Sequence, residues 1–182
     1  MQLKAAIFST LFLSSYVAAD VTVTTNPVTS YRHKLHIIQA TIANHKPAFV
    51  PNSLTNVDPG DILRFVFNGT VPHSVVRGDP SNGCQPLVGS TAFYSGTQST
   101  KDMVNGPMPM FDFVVKDRNP IFVYCSVGKH CQEGMVAAIN PTNDQTLDAY
   151  TSKCTGASSA VSPKGPNGGF LNKITLKVTK TS

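Results

Sequence analysis

Short runs of alternating apolar and polar residues recur along most of the chain, separated by glycine, proline, asparagine or aspartate. That texture predicts strands rather than helices. Residues 36–42 alternate weakly and are rich in β-branched side chains. Pro59-Gly60 reads as a turn, after which Ile62, Arg64 and Val66 alternate with Leu63, Phe65 and Phe67. Both faces of that segment carry apolar groups, as a strand inside a sandwich can. Residues 73–77 predict a short strand after Pro72, and 111–115 alternate again. Residues 121–125 are strand formers following Asn119-Pro120, and 135–139 form an apolar run stopped by Asn140-Pro141. Strands this short at this spacing predict an all-β sandwich or barrel.

Past Pro141 the pattern changes. Residues 146–153 predict one or two helical turns, and TGASSAVSPKGPNGG (155–169) reads as a flexible loop that buries little. Ile174, Leu176 and Val178 alternate with polar residues, so a late strand is expected over 172–179, added to a sheet edge beside residues 21–25. The expected division is a leader over 1–19, a sandwich domain over 20–141 and a C-terminal extension over 142–182. No internal repeat is visible.

Composition adds a compartment. Lys4, the apolar run 5–17 and the small residues Val17-Ala18-Ala19 form a secretory signal, with cleavage expected after Ala19. The run is too short to span a bilayer, and no second long apolar run follows, so no transmembrane segment is expected. The final ITLKVTKTS carries lysines and does not read as the hydrophobic tail of a GPI signal. A secreted, extracellular protein is expected. The formal charge of +5 drops to +4 when Lys4 leaves with the signal. This excess forms no basic run, so no nucleic-acid partner is expected. Asn68-Gly69-Thr70 is the only glycosylation sequon, since Pro141 follows Asn140.

Secretion places Cys84, Cys125, Cys131 and Cys154 where disulfides persist. Two bridges would use all four. The stretch YCSVGKHCQEGM (124–135) offers another reading, because its spacing is Cys125-x4-His130-x4-Met135. A thiolate, an imidazole and a thioether on one loop suit copper in both oxidation states. A second imidazole would complete a trigonal His2Cys site with a weak axial methionine, and His73 in TVPHSVV is the candidate. Zinc held by Cys125, His130 and Cys131 has the wrong spacing for a finger. His33, His36 and His45 read as surface or loop histidines. Met108 and Met110, with Met103 nearby, read as packing ahead of a thioether patch for Cu(I).

The segments DPGDILRFVFNGTVPHSVV (58–76) and PIFVYCSVGKHCQEGMVAAIN (120–140), with FDFVV (111–115) before the second, resemble the cupredoxin family. Within it the chain is most similar to the phytocyanins and the fungal extracellular cupredoxin-like proteins, over about residues 35–141. The resemblance implies a Greek-key β-sandwich and one type 1 copper ion on His73, Cys125, His130 and Met135. It implies that the Ser74 N–H bonds the ligand sulfur. Ser74 stands where many blue-copper proteins carry asparagine, and Ser74 and Ser126, each following a ligand, can bond across their strands. Methionine rather than glutamine at 135 implies the higher reduction potential. The family also pairs Cys131 with Cys84, which leaves Cys154 free, paired between chains, or displacing Cys84.

The implied function is single-electron transfer with a redox protein or small redox molecule as partner, and no enzyme activity. Lys129, beside His130, is either a solvated charge or a steering group for an acidic partner. Two other readings use the same residues: a copper-sequestering protein, and a wall-associated structural glycoprotein. Multicopper oxidases carry His-x-His ligands, which are absent from this sequence. A copper monooxygenase of the kind with histidine at its mature N-terminus is disfavoured by Asp20 there, and no G-x-S-x-G motif marks a hydrolase.

Overall fold

The computed structural model describes residues 33–99 and 108–174, the last through its backbone alone. The expected leader, residues 21–25, Met103 and the part of the late strand beyond 174 lie outside the described residues. In chain order the elements are β1 (Leu35–Ala43), β2 (Lys46–Val50), β3 (Ser53–Leu54), β4 (Ile62–Phe67), β5 (Val76–Gly78), β6 (Met108–Val114), β7 (Ile121–Tyr124), β8 (Val136–Ile139), α1 (Leu147–Thr155) and β9 (Phe170–Ile174). They form one sheet in the order β2-β1-β4-β6-β9 and a second in the order β3-β8-β7-β5. The all-β sandwich expected from the alternation is the fold, with α1 as the one helix among the described residues.

Local chemistry sets the first hairpin. Asn44 and His45 both have positive φ, at 50° and 63°, between the paired Ala43 and Lys46. Two left-handed residues give a two-residue turn the twist its strands need. In β4 the alternation resolves as read. Leu63, Phe65 and Phe67 are buried, while Ile62, Arg64 and Val66 are half-buried on the other face. There Arg64 makes a two-pronged bond to Asp112 on β6, at 2.8 and 2.7 Å, and Asn172 on β9 donates to the same carboxylate at 3.0 Å.

The main core lies between the sheets and is built on Phe49, Phe65, Phe67, Phe93, Phe111 and Phe113. Each contributes roughly 2–3 kcal/mol of burial. A second apolar cluster joins Val76, Tyr94, Phe122, Tyr124, Val136 and Ala138 to Tyr150 and Cys154 of α1, with Ala157 and Ala160 packed against it. The helix begins at Thr146, whose side chain accepts the Ala149 N–H, and its Tyr150 ring lies 4.7 Å from Phe122.

Three segments depart from the sequence expectation. β5 begins at Val76 rather than at His73. The Ser95 hydroxyl takes the Val75 N–H at 2.8 Å, so a side chain replaces a ladder bond there. Residues 155–169 are not a loose linker, because they dock on the sandwich. Val161 N–H bonds the Cys84 carbonyl at 3.0 Å, and Asn167 exchanges two backbone bonds with Tyr94. The glycines there serve close approach. A Cβ on Gly168 would lie 2.1 Å from the Ala92 carbonyl oxygen, and one on Gly169 would lie 2.4 Å from the Phe111 ring. The late strand starts at Phe170 and adds antiparallel to β6, pairing Asp112 with Phe170. The docked glycines deliver it to that edge.

Cys84 and Cys131 form a disulfide that closes a 47-residue separation. Chain-entropy reasoning makes such a crosslink worth about 4 kcal/mol. The double variant Cys84→Ser/Cys131→Ser should lose that much in urea unfolding, and a loss under about 1 kcal/mol would refute the crosslink's importance.

Asp61 generates a second prediction. It is 2% exposed. Its carboxylate accepts the N–H groups of Lys34 and Asp58 and meets His36 Nε2 at 2.8 Å. Burial alone would raise its pKa, but these bonds together hold it at about 2, below the usual 3.8. A depressed folded value means the stabilisation is complete above about pH 4 and is lost as pH falls toward 2. Asp61→Asn should remove about 2 kcal/mol of pH-dependent stability across that window. Acid unfolding followed by circular dichroism reads the difference in slope.

Candidate metal centre

Two segments meet at the cluster. The first follows β4 and carries His73. His73 N–H donates to the Gln98 carbonyl at 2.8 Å, and Gln98 N–H donates back at 2.7 Å. This exchange, with the Ser95 bonds to Val75, holds residues 73–75 in place. The second segment is the end of β7 and the loop to β8. Cys125 N–H donates to the Met135 carbonyl at 3.1 Å, and Met135 N–H donates to the His130 carbonyl at 2.8 Å. Three of the four family-implied positions are thus tied by backbone bonds within their own loop. The disulfide at Cys131 anchors the same loop to Cys84.

The side chains of His73, Cys125 and His130 converge, with their donor atoms within 4.8 Å of one another. Cys125 Sγ lies 3.4 Å from His130 Nδ1. The two imidazole rings are 5.1 Å apart, centre to centre. His73 is 1% exposed, yet neither ring nitrogen has a hydrogen-bond partner in the protein. Buried polar atoms are nearly always paired, so two orphaned nitrogens on one ring demand an explanation. Met135 is buried in the main core, and its main chain joins it to both Cys125 and His130.

Burial, and after it the neighbouring His130, lowers the His73 pKa to about 4. Burial lowers His130 as well. At neutral pH both imidazoles are therefore neutral and keep a lone pair for a ligand bond. Burial pushes the Cys125 thiol up, against bonds to the sulfur from Val127 and Ser74. Ser74 N–H donates to Cys125 Sγ at 3.3 Å, and Ser74 Oγ lies 3.8 Å from the same sulfur. Ser74 Oγ is 2.9 Å from Ser126 Oγ and accepts the Ser126 N–H at 2.8 Å. Two neutral imidazoles and one soft sulfur fit a soft or borderline transition metal.

The remaining candidates separate. His36 bonds Asp61 and His45 forms the first hairpin turn. Lys129 is exposed beside the half-buried His130. Cys84, Cys131 and Cys154 also bring their sulfurs within 4.8 Å, but the first two are oxidised. Cys154 is free and fully buried. Asn68 is exposed just after β4. Sequence reasoning missed Ser95, Gln98 and Ser162. Ser162 donates to Ser126 Oγ at 2.7 Å from 36 residues away. No periodic or motif signal marks these residues, because each reaches the site through tertiary contact.

No protein-family model matches the chain. It is 33% identical over 122 residues to "Probable GPI-anchored cupredoxin-1" of Arthroderma benhamiae, covering 66% of this chain and 60% of that protein. It is 30% identical over 126 residues to "Extracellular serine-rich protein" of the same fungus, covering 68% of this chain and 46% of that one. The chain therefore spans less than two thirds of either relative's length. Among solved structures it is similar to native pseudoazurin from Hyphomicrobium denitrificans, at 16% identity and a TM-score of 0.41 over 58% of this chain and 73% of that one. It is also similar to a purple cupredoxin from Nitrosopumilus maritimus, at 18% identity and a TM-score of 0.43 over 57% of this chain and 96% of that one. Over 122 residues the chain is thus similar to a fungal cupredoxin, and its two-sheet sandwich gathers two histidines around a buried cysteine.

Proposed function

We propose that this protein carries single electrons through one type 1 copper ion held by His73, Cys125, His130 and Met135. The observation that carries the reading is the His73 ring, buried with both nitrogens unpartnered and grouped with Cys125 and His130. Bound there, copper would supply a one-electron couple, which the Met135 thioether and the hydrogen bonds at the Cys125 sulfur would tune.

The protein's part is positional. Backbone bonds from Cys125 to Met135 and from Met135 to His130 hold the loop, and Gln98 holds His73. Ligands positioned by the sandwich move little when the charge changes. The Ser74 N–H stabilises negative charge on the sulfur and so lowers its donation. His130 is the partly exposed member of the set, which makes its edge the natural exit for an electron. Lys129 beside it favours an acidic redox protein, with a small redox molecule as the other partner class.

We read the protein as a carrier rather than an enzyme. The groove lined by Ser81, Asn82, Lys153 and Ser158 touches none of the four proposed ligands. Among the described residues no helix is long and apolar enough to cross a membrane. The names of the two fungal relatives, one GPI-anchored and one extracellular, support a secreted or wall-associated location. Asn68 is the proposed glycan site.

The test is Cu(II) addition to the secreted protein beside Cys125→Ser. An intense thiolate-to-copper absorption band with narrow copper hyperfine splitting is expected, lost in the variant. Absence of both the band and tight copper in the wild-type protein would overturn the proposal. Fast electron self-exchange is expected for a carrier, and very slow exchange with tight Cu(I) retention would shift the reading to copper sequestration. Met135→Gln should keep the band and lower the reduction potential, as protein-film voltammetry would show. An unchanged potential would remove Met135 from the ligand set.

A further inference from the structure

The docked segment after α1 reaches the cluster through a line of hydroxyls. Ser162 Oγ bonds Ser126 Oγ at 2.7 Å, Ser126 Oγ bonds Ser74 Oγ at 2.9 Å, and Ser74 Oγ lies 3.8 Å from Cys125 Sγ. Ser74 and Ser126 are 0% and 8% exposed, while Ser162 stands at the exposed outer end. Ser162 is held there by its neighbour. Val161 donates its N–H to Cys84 and accepts the Tyr124 hydroxyl at 2.5 Å.

Proton counting gives this line a direction. A hydroxyl has one proton and two acceptor lone pairs. When Ser162 donates to Ser126, the Ser126 proton is free to go to Ser74. Ser74 then accepts twice, from the Ser126 hydroxyl and from the Ser126 N–H at 2.8 Å. Both of its lone pairs are used, so its own proton is left for the Cys125 sulfur. Without the Ser162 donation, the Ser74–Ser126 bond can reverse, and the Ser74 proton turns away from the sulfur. Hydrogen bonds in such a chain polarise one another, which favours one direction throughout.

We propose that Ser162 is a positioning residue for the Cys125 sulfur. Through Ser126 it orients the Ser74 hydroxyl toward the thiolate, which makes the C-terminal segment a tuning element of the site. The tuning of a copper potential rests on the function proposed above, whereas the hydroxyl line itself does not. A hydrogen bond to the thiolate lowers the sulfur's donation and favours the reduced metal.

The test compares wild type, Ser162→Ala and Ser162→Thr in two states. In the metal-free protein, NMR hydrogen exchange at the Ser126 amide should quicken by roughly twofold to tenfold in Ser162→Ala, the range for one neutral hydrogen bond. The Ser74 and Ser126 resonances should shift, and Ser162→Thr should restore both. In the copper-loaded protein, Ser162→Ala should keep the charge-transfer band. Its ratio of Cu(I) to Cu(II) affinity should fall by a similar factor, again restored by threonine. Unchanged exchange and an unchanged affinity ratio in Ser162→Ala would overturn the proposal, because solvent would then serve as well as the hydroxyl. An alanine effect that threonine does not restore, accompanied by a lower urea midpoint, would overturn it in favour of a merely structural role. If wild type binds no copper, the function reading and the potential-tuning claim fail together, and the metal-free arm still decides the hydroxyl line.

Discussion

Strand β7 is buried on both faces, and the cluster depends on that constraint. Ile121, Val123 and Cys125 point into the core between the sheets, while Phe122 and Tyr124 point the other way into the second cluster. A strand apolar on both sides has to be covered on both sides. The second cover comes from Tyr150 and Cys154 of α1 and from the alanines after it. Cys125 therefore continues a strand with no free face, and its sulfur is held where solvent does not reach. The raised thiol pKa and the lowered His73 pKa are both consequences of this burial.

The polar groups around the cluster divide by whether they are satisfied. Ser74, Ser95 and Ser126 all find partners at 2.7–3.3 Å. His73 alone among these buried residues has none for its side chain. An unpaired buried polar group costs about 1–3 kcal/mol. The surrounding hydrogen bonds show that packing here is able to satisfy polar atoms, so the unsatisfied ring is a local exception. Exceptions of this kind concentrate where a protein binds something. The disulfide at Cys131 and the docked segment at Val161 brace the surroundings, so the loop does not relax to quench the orphaned nitrogens.

Much of the sandwich was legible because alternation reports burial directly. β4 is the clearest instance, with Leu63, Phe65 and Phe67 turned inward as their spacing required. The Cys125, His130 and Met135 spacing was legible because all three lie on one loop, where separation along the chain limits separation in space. Residues 155–169 were misread for a physical reason. Glycine and serine suit a flexible linker, but glycine, lacking a Cβ, also permits backbone to approach backbone, as Gly168 does at Ala92. Composition does not distinguish these uses. Ser95, Gln98 and Ser162 were invisible because a hydroxyl or amide near a ligand is defined by contacts 20 to 36 residues distant in the chain.

By itself the sequence determined the class of fold and the chemistry available to it: short strands, soft sulfur and imidazole groups at one loop, and one more imidazole after β4. Those follow from side-chain types and from spacing within a segment. The tertiary structure decided how the cysteines are used. Four cysteines allow three two-bridge pairings, and spacing alone does not rank them; only the resemblance pointed to Cys84 with Cys131. A bridge forms only where two Cα atoms come within about 7 Å, and Cys84 and Cys131 stand 6.0 Å apart. Cys125 is kept as a thiol beside two histidines, and Cys154 is buried where α1 packs on the second cluster. Distance between remote segments is a property of the packed sandwich, so these roles emerge only when the sheets and the C-terminal segment close on one another.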